Sequence, residues 1–441
     1  MQRFKTTVSL LLVILSSSLF FADTLTGQSS SLQKSVDHEL SKIESQLIEW
    51  RRHFHEFPEL SNREFETAKK IASILKEFKN LQVDEGIAIT GVVGVLDTGK
   101  PGPTIGLRAD IDGLPVVERA DLPFKSTQRT TYLGKEVGIM HACGHDTHIA
   151  MLLATAKVLT EVQDELTGKF VFVFQPAEEG APIGEEGGAA LMVKEGIIER
   201  YGIEVFFGQH ISSGLDAGII RYKPGGIMAA SDQFEIDIMG KQTHGSRPWS
   251  GIDPITVASH MVLGLQNIIS RETELTKEAA VISVGKIEGG VRNNIIPESV
   301  KMIGTIRTLD TAMQRIIHQK MQRKVKGIAD AYGAEAKLTI NIGYPVTHND
   351  IELTKKMIPS LYKAIGEQNV RITPAVTGAE DFSFFAKEVP GLYYFVGGKS
   401  VETPYGQAYP HHTPDFYIDE SGMMTGVKAL TQLSIDYMNL K

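Results

Sequence analysis

The densest chemistry in the chain lies in one short run, Met140-His141-Ala142-Cys143-Gly144-His145-Asp146-Thr147-His148. It contains the only cysteine and three of the 13 histidines. Thiolate and imidazole are the usual donors to a borderline-soft divalent cation. A helix would splay Cys143 and His145, two positions apart, whereas an extended turn lets both reach one side. His148 opens the following helix and reads better as a packing or supporting histidine, and His141 is equally ambiguous. A second patch follows the apolar run Lys169 to Phe174, where Glu178 and Glu179 stand side by side. Adjacent acids are common on solvated turns. Here they also offer two jobs, one carboxylate to ligate and one to move a proton. A metal lowers the pKa of bound water toward ~7, and a nearby carboxylate can then accept its proton. His210, after the run Glu204 to Phe207, and His412, on a late loop, add two more imidazoles.

Strands and helices must bring these groups together. Gly91 to Leu96, Thr104 to Leu107, Lys169 to Phe174 and Glu204 to Phe207 are apolar strand candidates, separated by helical patterns at Asn62 to Phe78 and Ile149 to Val162. Residues 31–57 read as one polar helix. Such alternation predicts an α/β fold with a mostly parallel sheet covered on both faces. Asp110, Glu178 and His210 then fall at strand ends, where ligand groups gather in open α/β sheets. From residue 224 the pattern changes. Half-exposed alternation near Gln233 to Met239, further strands near 280–287, 300–307 and 336–342, and helices near 254–270 and 311–332 predict an inserted α+β unit, a four-stranded antiparallel sheet with two helices. The expected organisation is a catalytic domain at 31–223, an inserted lid or dimerisation domain at 224–344, and the rest of the catalytic domain at 345–441.

Composition narrows the function classes. The 441 residues carry a formal net charge of -8 with no basic tract, which argues against nucleic acid as a partner. Arg3 and Lys5, the apolar run Val8 to Leu15 and the small residues that follow have the layout of an export signal at 1–22. The expected mature protein is periplasmic or secreted, with no stable membrane span. One cysteine cannot form an internal disulfide. No Gly-x-Ser-x-Gly or His-Glu-x-x-His occurs, and a P-loop ending at Lys399-Ser400 fails because position 393 is Tyr.

Seven motifs in order resemble the M20 metallopeptidase family, specifically its subfamily D of N-acyl-amino-acid amidohydrolases. They are Arg51 to Ser61, Arg108-Ala109-Asp110-Ile111-Asp112-Gly113-Leu114-Pro115, His141 to Asp146, Gln175-Pro176-Ala177-Glu178-Glu179, Thr243 to Pro248, Gly378-Ala379-Glu380-Asp381-Phe382 and His412 to Phe416. The resemblance implies two divalent ions held by Cys143, His145, Glu179, His210 and His412, with Cys143 bridging; the donor types suit zinc or manganese before nickel or cobalt. It implies Glu178 as general base and later acid, and Asp110 orienting a ligand. Arg108 stands where most branches have a metal-binding histidine. His244 resembles the histidine that family dimers lend to the partner's site, and Asn294 and Arg307 match positions that hold the substrate carboxylate. The implied protein is a homodimer cleaving N-acyl amino acids, with a dipeptidase or carboxypeptidase as the alternative. One departure follows the glutamates, where a Gly-rich run is replaced by Ala181-Pro182-Ile183-Gly184-Glu185-Glu186.

Overall fold

Alternation of phenylalanine and valine in Lys169–Gln175 builds the centre of the fold. Phe170, Phe172 and Phe174 enter one apolar core, and Val171 and Val173 enter a second core on the opposite face. Side chains alternate across a strand, so a strand apolar at every position must be covered on both sides. The same division recurs next door: Val205 and Phe207 face the first core and Phe206 the second.

The computed structural model describes residues 31–440, so the expected export signal at 1–22 lies outside the described residues. The large sheet has eight strands, in the order Leu81–Ile87, Gly91–Asp97, Lys169–Gln175, Thr104–Asp110, Val205–Asp216, Gly391–Lys399, Ile220–Tyr222, Val370–Ile372. The central four are mutually parallel, as expected, and antiparallel partners flank them. The helix His145–Glu161 lies against the first core and is buried on all sides, which explains why it lacks a polar stripe. Glu44–Glu56, Ile351–Ile365 and Met423–Tyr437 pack on the same side.

A second sheet is wholly antiparallel, in the order Ala280–Gly289, Ser299–Thr308, Ala230–Met239, Glu335–Tyr344. Phe234, Ile236 and Ile238 enter a separate core beneath the helices Pro254–Glu272 and Thr311–Tyr332. Both helices begin on an aspartate whose carboxylate accepts a first-turn N–H: Asp253 from Ile255 and Asp310 from Met313.

Three local readings change. The helix expected across 31–57 breaks at residues 41–43 before Glu44–Glu56. The strand read as ending at Phe207 continues to Asp216, so His210 lies within it. A hairpin, Arg129–Tyr132 with Lys135–Gly138, has few buried side chains and so carried no apolar alternation to find. Among the described residues no helix is long and apolar enough to cross a membrane.

Candidate metal centre

Two parallel strands end level with each other, Asp110 beside Gln175, and the chain beyond each turns into the site. After Gln175 the backbone takes a left-handed step at Ala177 (φ 52°). The Ala177 N–H is held by Glu64 at 2.8 Å. Asp112 completes the turn: its carboxylate accepts the N–H groups of Glu178 (3.1 Å) and Glu179 (3.0 Å). The same residue orients His145, whose Nδ1 lies 2.8 Å from the Asp112 carbonyl. This tautomer leaves Nε2 facing the glutamates, 3.8 Å from Glu178 Oε2 and 4.0 Å from Glu179 Oε1.

Gly144 makes the Cys143–His145 turn possible. Its φ is +93°, and a Cβ there would meet Ile211 Cγ2 at 2.4 Å, so a side chain is excluded by conformation and by space. His210 extends from its strand past the last residue paired with Thr104–Asp110. Its Nδ1 donates to the Ile211 carbonyl at 2.5 Å, and its Nε2 stands 3.4 Å from Cys143 Sγ. His412 arrives on a loop with φ 62°, its N–H bonded to the Ala142 carbonyl. Its Nε2 lies 3.2 Å from Cys143 Sγ and 3.1 Å from Glu179 Oε1.

The five expected donors therefore converge as two triads that share the thiol, Cys143 with His145 and His210, and Cys143 with Glu179 and His412; within each, the donor atoms lie within 4.8 Å of one another. The set fits a pair of divalent cations. His145 Nε2 is a buried ring nitrogen without a hydrogen-bond partner, which is costly unless something binds it. Acidic groups crowd this cluster and hold protons in it. Burial, Glu179 and Glu178 push the Cys143 thiol well above its usual range. Burial opposes a charged His145, yet Asp110, Asp112 and Glu179 raise its pKa to about 10. Protons thus stand where cations would neutralise the carboxylates and free the thiolate. Burial, His148 and His411 keep His210 neutral by pushing its pKa well down, as a ligand requires.

Glu178 is different. Burial, then Glu380, Glu179 and Asp381, push its carboxyl well above the carboxylate range, so it favours holding a proton. Beneath it, Arg108 is fully buried and bonds Asp110 (2.8 Å), Glu380 (2.9 Å), Asp381 (2.8 Å) and Gln175 (2.8 Å). Asp110 bonds His148 Nδ1 at 2.6 Å, and His148 Nε2 accepts the Ile211 N–H. Both nitrogens of His148 are thus engaged, in keeping with a supporting role. Asp110 stays 3.8 Å from His145; the ring is oriented by Asp112, two residues on in the Arg108–Pro115 motif, for which the sequence alone gave no role. Glu64, Glu380, Asp381 and Tyr344 were also missed. Tyr344 comes from the second sheet and donates to the Glu178 carbonyl at 2.7 Å.

Cys143, Glu179, His210 and His412 open into a cavity of about 610 Å³ whose walls also include Arg307, Arg221, Tyr344 and Phe395. His244 and Asn294 are not in that wall. Both are exposed and lie side by side: His244 is on the two-stranded piece Thr243–His244 with Ile295–Ile296, Asn294 immediately precedes its second strand, and the Gly245 N–H bonds the Asn294 carbonyl.

A thiol and imidazole cluster backed by a protonatable glutamate, beyond the ends of a mostly parallel sheet, defines a metal-dependent hydrolase. The model of peptidase family M20/M25/M40 matches residues 106–436, and the chain belongs to that family. It is 38% identical to thermostable carboxypeptidase 2 of Saccharolobus solfataricus, over 92% of this chain and 99% of that protein. It is 37% identical to an N-acetyl-L-cysteine deacetylase of Bacillus subtilis, over 87% and 86%. A crystal structure of a dinuclear metal-binding M20 peptidase from Bacillus subtilis superposes with a TM-score of 0.75 at 32% identity, covering 90% of this chain and 99% of that one.

Proposed function

We propose that the chain hydrolyses the amide bond of N-acyl amino acids, releasing a carboxylic acid and a free amino acid. The observation that carries this is the pair of donor triads sharing Cys143, with Glu178 at their edge and Arg307 in the same cavity wall. When bound, two divalent cations supply Lewis acidity and lower the pKa of water. Glu178, held as the carboxylate once cation charge offsets its acidic neighbours, takes the proton from the attacking water, and its burial makes it a stronger base than an exposed carboxylate. It then returns the proton to the leaving nitrogen. Arg307 offers a planar fork to the substrate carboxylate. The donor set of one thiolate, three imidazoles and one carboxylate favours zinc, and manganese is the next candidate.

His244 acts in the partner's site of a homodimer, where it stabilises the negative charge growing on the acyl oxygen. Its exposure, its absence from this chain's own cavity wall, and the exposed Trp249 and Val291 nearby (79% and 90%) support an interface on this face. Asn294, beside His244, serves the same shared site. Residues 1–22 act as an export signal, which amino-terminal sequencing of the mature protein tests.

A second reading, a carboxypeptidase or dipeptidase with the same site, is favoured by the 38% identity to a carboxypeptidase. The test is amino-acid release from acetyl, benzoyl and long-chain-acyl amino acids beside dipeptides, before chelation, after it, and after reloading with zinc or manganese. Release from acyl conjugates that stops on chelation and returns with metal is expected. Release from dipeptides alone assigns the peptidase, and release indifferent to the chelator overturns both.

A further inference from the structure

The large sheet carries a row of side chains that runs outward from the donor His210. Phe395 is in register with His210 on one side and with Arg221 on the other, and Arg221 is in register with Arg371. Residues in register across neighbouring strands point to the same face. His210, Phe395 and Arg221 accordingly all line the cavity. Strands lie about 4.8 Å apart, so Arg221 leaves the sheet about 10 Å from His210. Phe395 forms an apolar floor between them, with Val376 and Met228 in the same wall.

Arg221 is half-buried and has neither a hydrogen bond from its side chain nor an ion pair among the described residues. Its register neighbour Arg371 is also a cation, exposed and likewise without an ion pair among the described residues. Like charges side by side repel, so nothing in the sheet compensates this end of the row. Arg307 reaches the same cavity from the other sheet, in the row Arg307–Ser231–Tyr344. The cavity therefore has carboxylates and metal donors at one end and two separate guanidinium groups elsewhere in its wall. One guanidinium suffices for the α-carboxylate of an N-acyl amino acid.

We propose that Arg221 is a specificity residue that binds a second carboxylate, joined to the scissile amide by a short alkyl chain lying over Phe395. The preferred substrates are then dicarboxylic N-acyl amino acids. The second carboxylate comes either from an acidic amino-acid side chain or from the far end of a dicarboxylic acyl group. This rests on the amidohydrolase reading above and refines it.

Two substrate pairs separate the sources: N-acetylglutamate against N-acetylglutamine, and N-glutaryl-alanine against N-valeryl-alanine. In the zinc-loaded protein, kcat/KM is expected to favour the dicarboxylate of one pair by about 10- to 100-fold, mainly through KM. In Arg221→Ala that ratio falls to near one, and in Arg221→Lys part of it returns. Calorimetry with glutarate and pentanoate gives a readout without turnover, with glutarate binding weakened at least about tenfold by Arg221→Ala. Monocarboxylates cleaved as well as their dicarboxylate counterparts in both pairs, or a preference that survives Arg221→Ala, overturns the proposal alone. No release from any of the four substrates, with glutarate binding still dependent on Arg221, overturns the amidohydrolase reading and supports the carboxylate site.

Discussion

Glu178 and Glu179 are chemically identical and adjacent, yet their surroundings give them different work. Glu179 Oε1 sits 3.1 Å from His412 Nε2, among the donor atoms. Glu178 faces the buried carboxyls of Glu380 and Asp381 and is driven toward its protonated form. Two carboxyl groups whose environments separate their proton affinities are the usual way to divide ligand from base. Glu178→Gln is therefore expected to lower kcat by about 100- to 10,000-fold. Zinc content, read by elemental analysis, should stay at the wild-type level, because the five donors remain. Turnover within tenfold of wild type would remove Glu178 from the role of base. Arg108 works in the background of this division. It balances Asp110, Glu380 and Asp381 in a site with almost no solvent, so the surplus of negative charge lies on the side of the donor cluster that would hold cations.

The elements that carry the donors are held by a second buried charge network. In it, Arg51 and His55 from Glu44–Glu56 meet Asp146 at the start of His145–Glu161. His55 bonds Asp146 at 2.9 Å and Glu118 at 3.1 Å. Burial and the Arg51 cation push the His55 pKa down, but the two carboxylates more than offset them and the net shift is upward. A folded-state pKa above the unfolded one means stability that is complete below the unfolded pKa of about 6.5 and is lost as pH rises through the folded value. His55→Gln is thus expected to cost about 3 kcal/mol of unfolding free energy at pH 6 and less at pH 9. Urea titrations of both proteins at the two pH values measure the gap, and an equal gap would mean that the ring is neutral throughout. This network also marks the limit of what was legible in the sequence. The strands were readable because Phe170, Phe172 and Phe174 alternate with valines, and the helix at 311–332 because its apolar positions recur at helical spacing. Cys143 and His145 were readable because they share one turn. Asp112 was not, since it differs from Asp110 only by two positions, and backbone geometry beyond the strand decides which of them meets His145. Arg108 and Asp381 are 273 residues apart, and no local pattern announces that such groups will touch.

At the scale of the whole molecule, the two sheets meet at the cavity. Tyr344 and Arg307 from the second sheet and the metal donors from the first line the same space. His244 remains outside it, on a face that also exposes Trp249. A two-fold dimer would place the same face of each subunit against its counterpart and could exchange the histidines between sites. A mixing experiment decides this. His244→Ala and Glu178→Gln are each expected to be inactive as pure dimers. Unfolded together and refolded in equal amounts, half of the dimers are hybrids. In each hybrid, the subunit that keeps Glu178 receives an intact His244 from its partner, and the other site lacks both groups. Recovery of about a quarter of wild-type activity follows from that count. If His244 instead served its own chain, every site in the mixture would lack either His244 or Glu178, and the activity would stay at the level of the parents. Size-exclusion chromatography of the refolded material confirms that the comparison is made between dimers, so that silence in the mixture speaks against the exchange rather than against assembly.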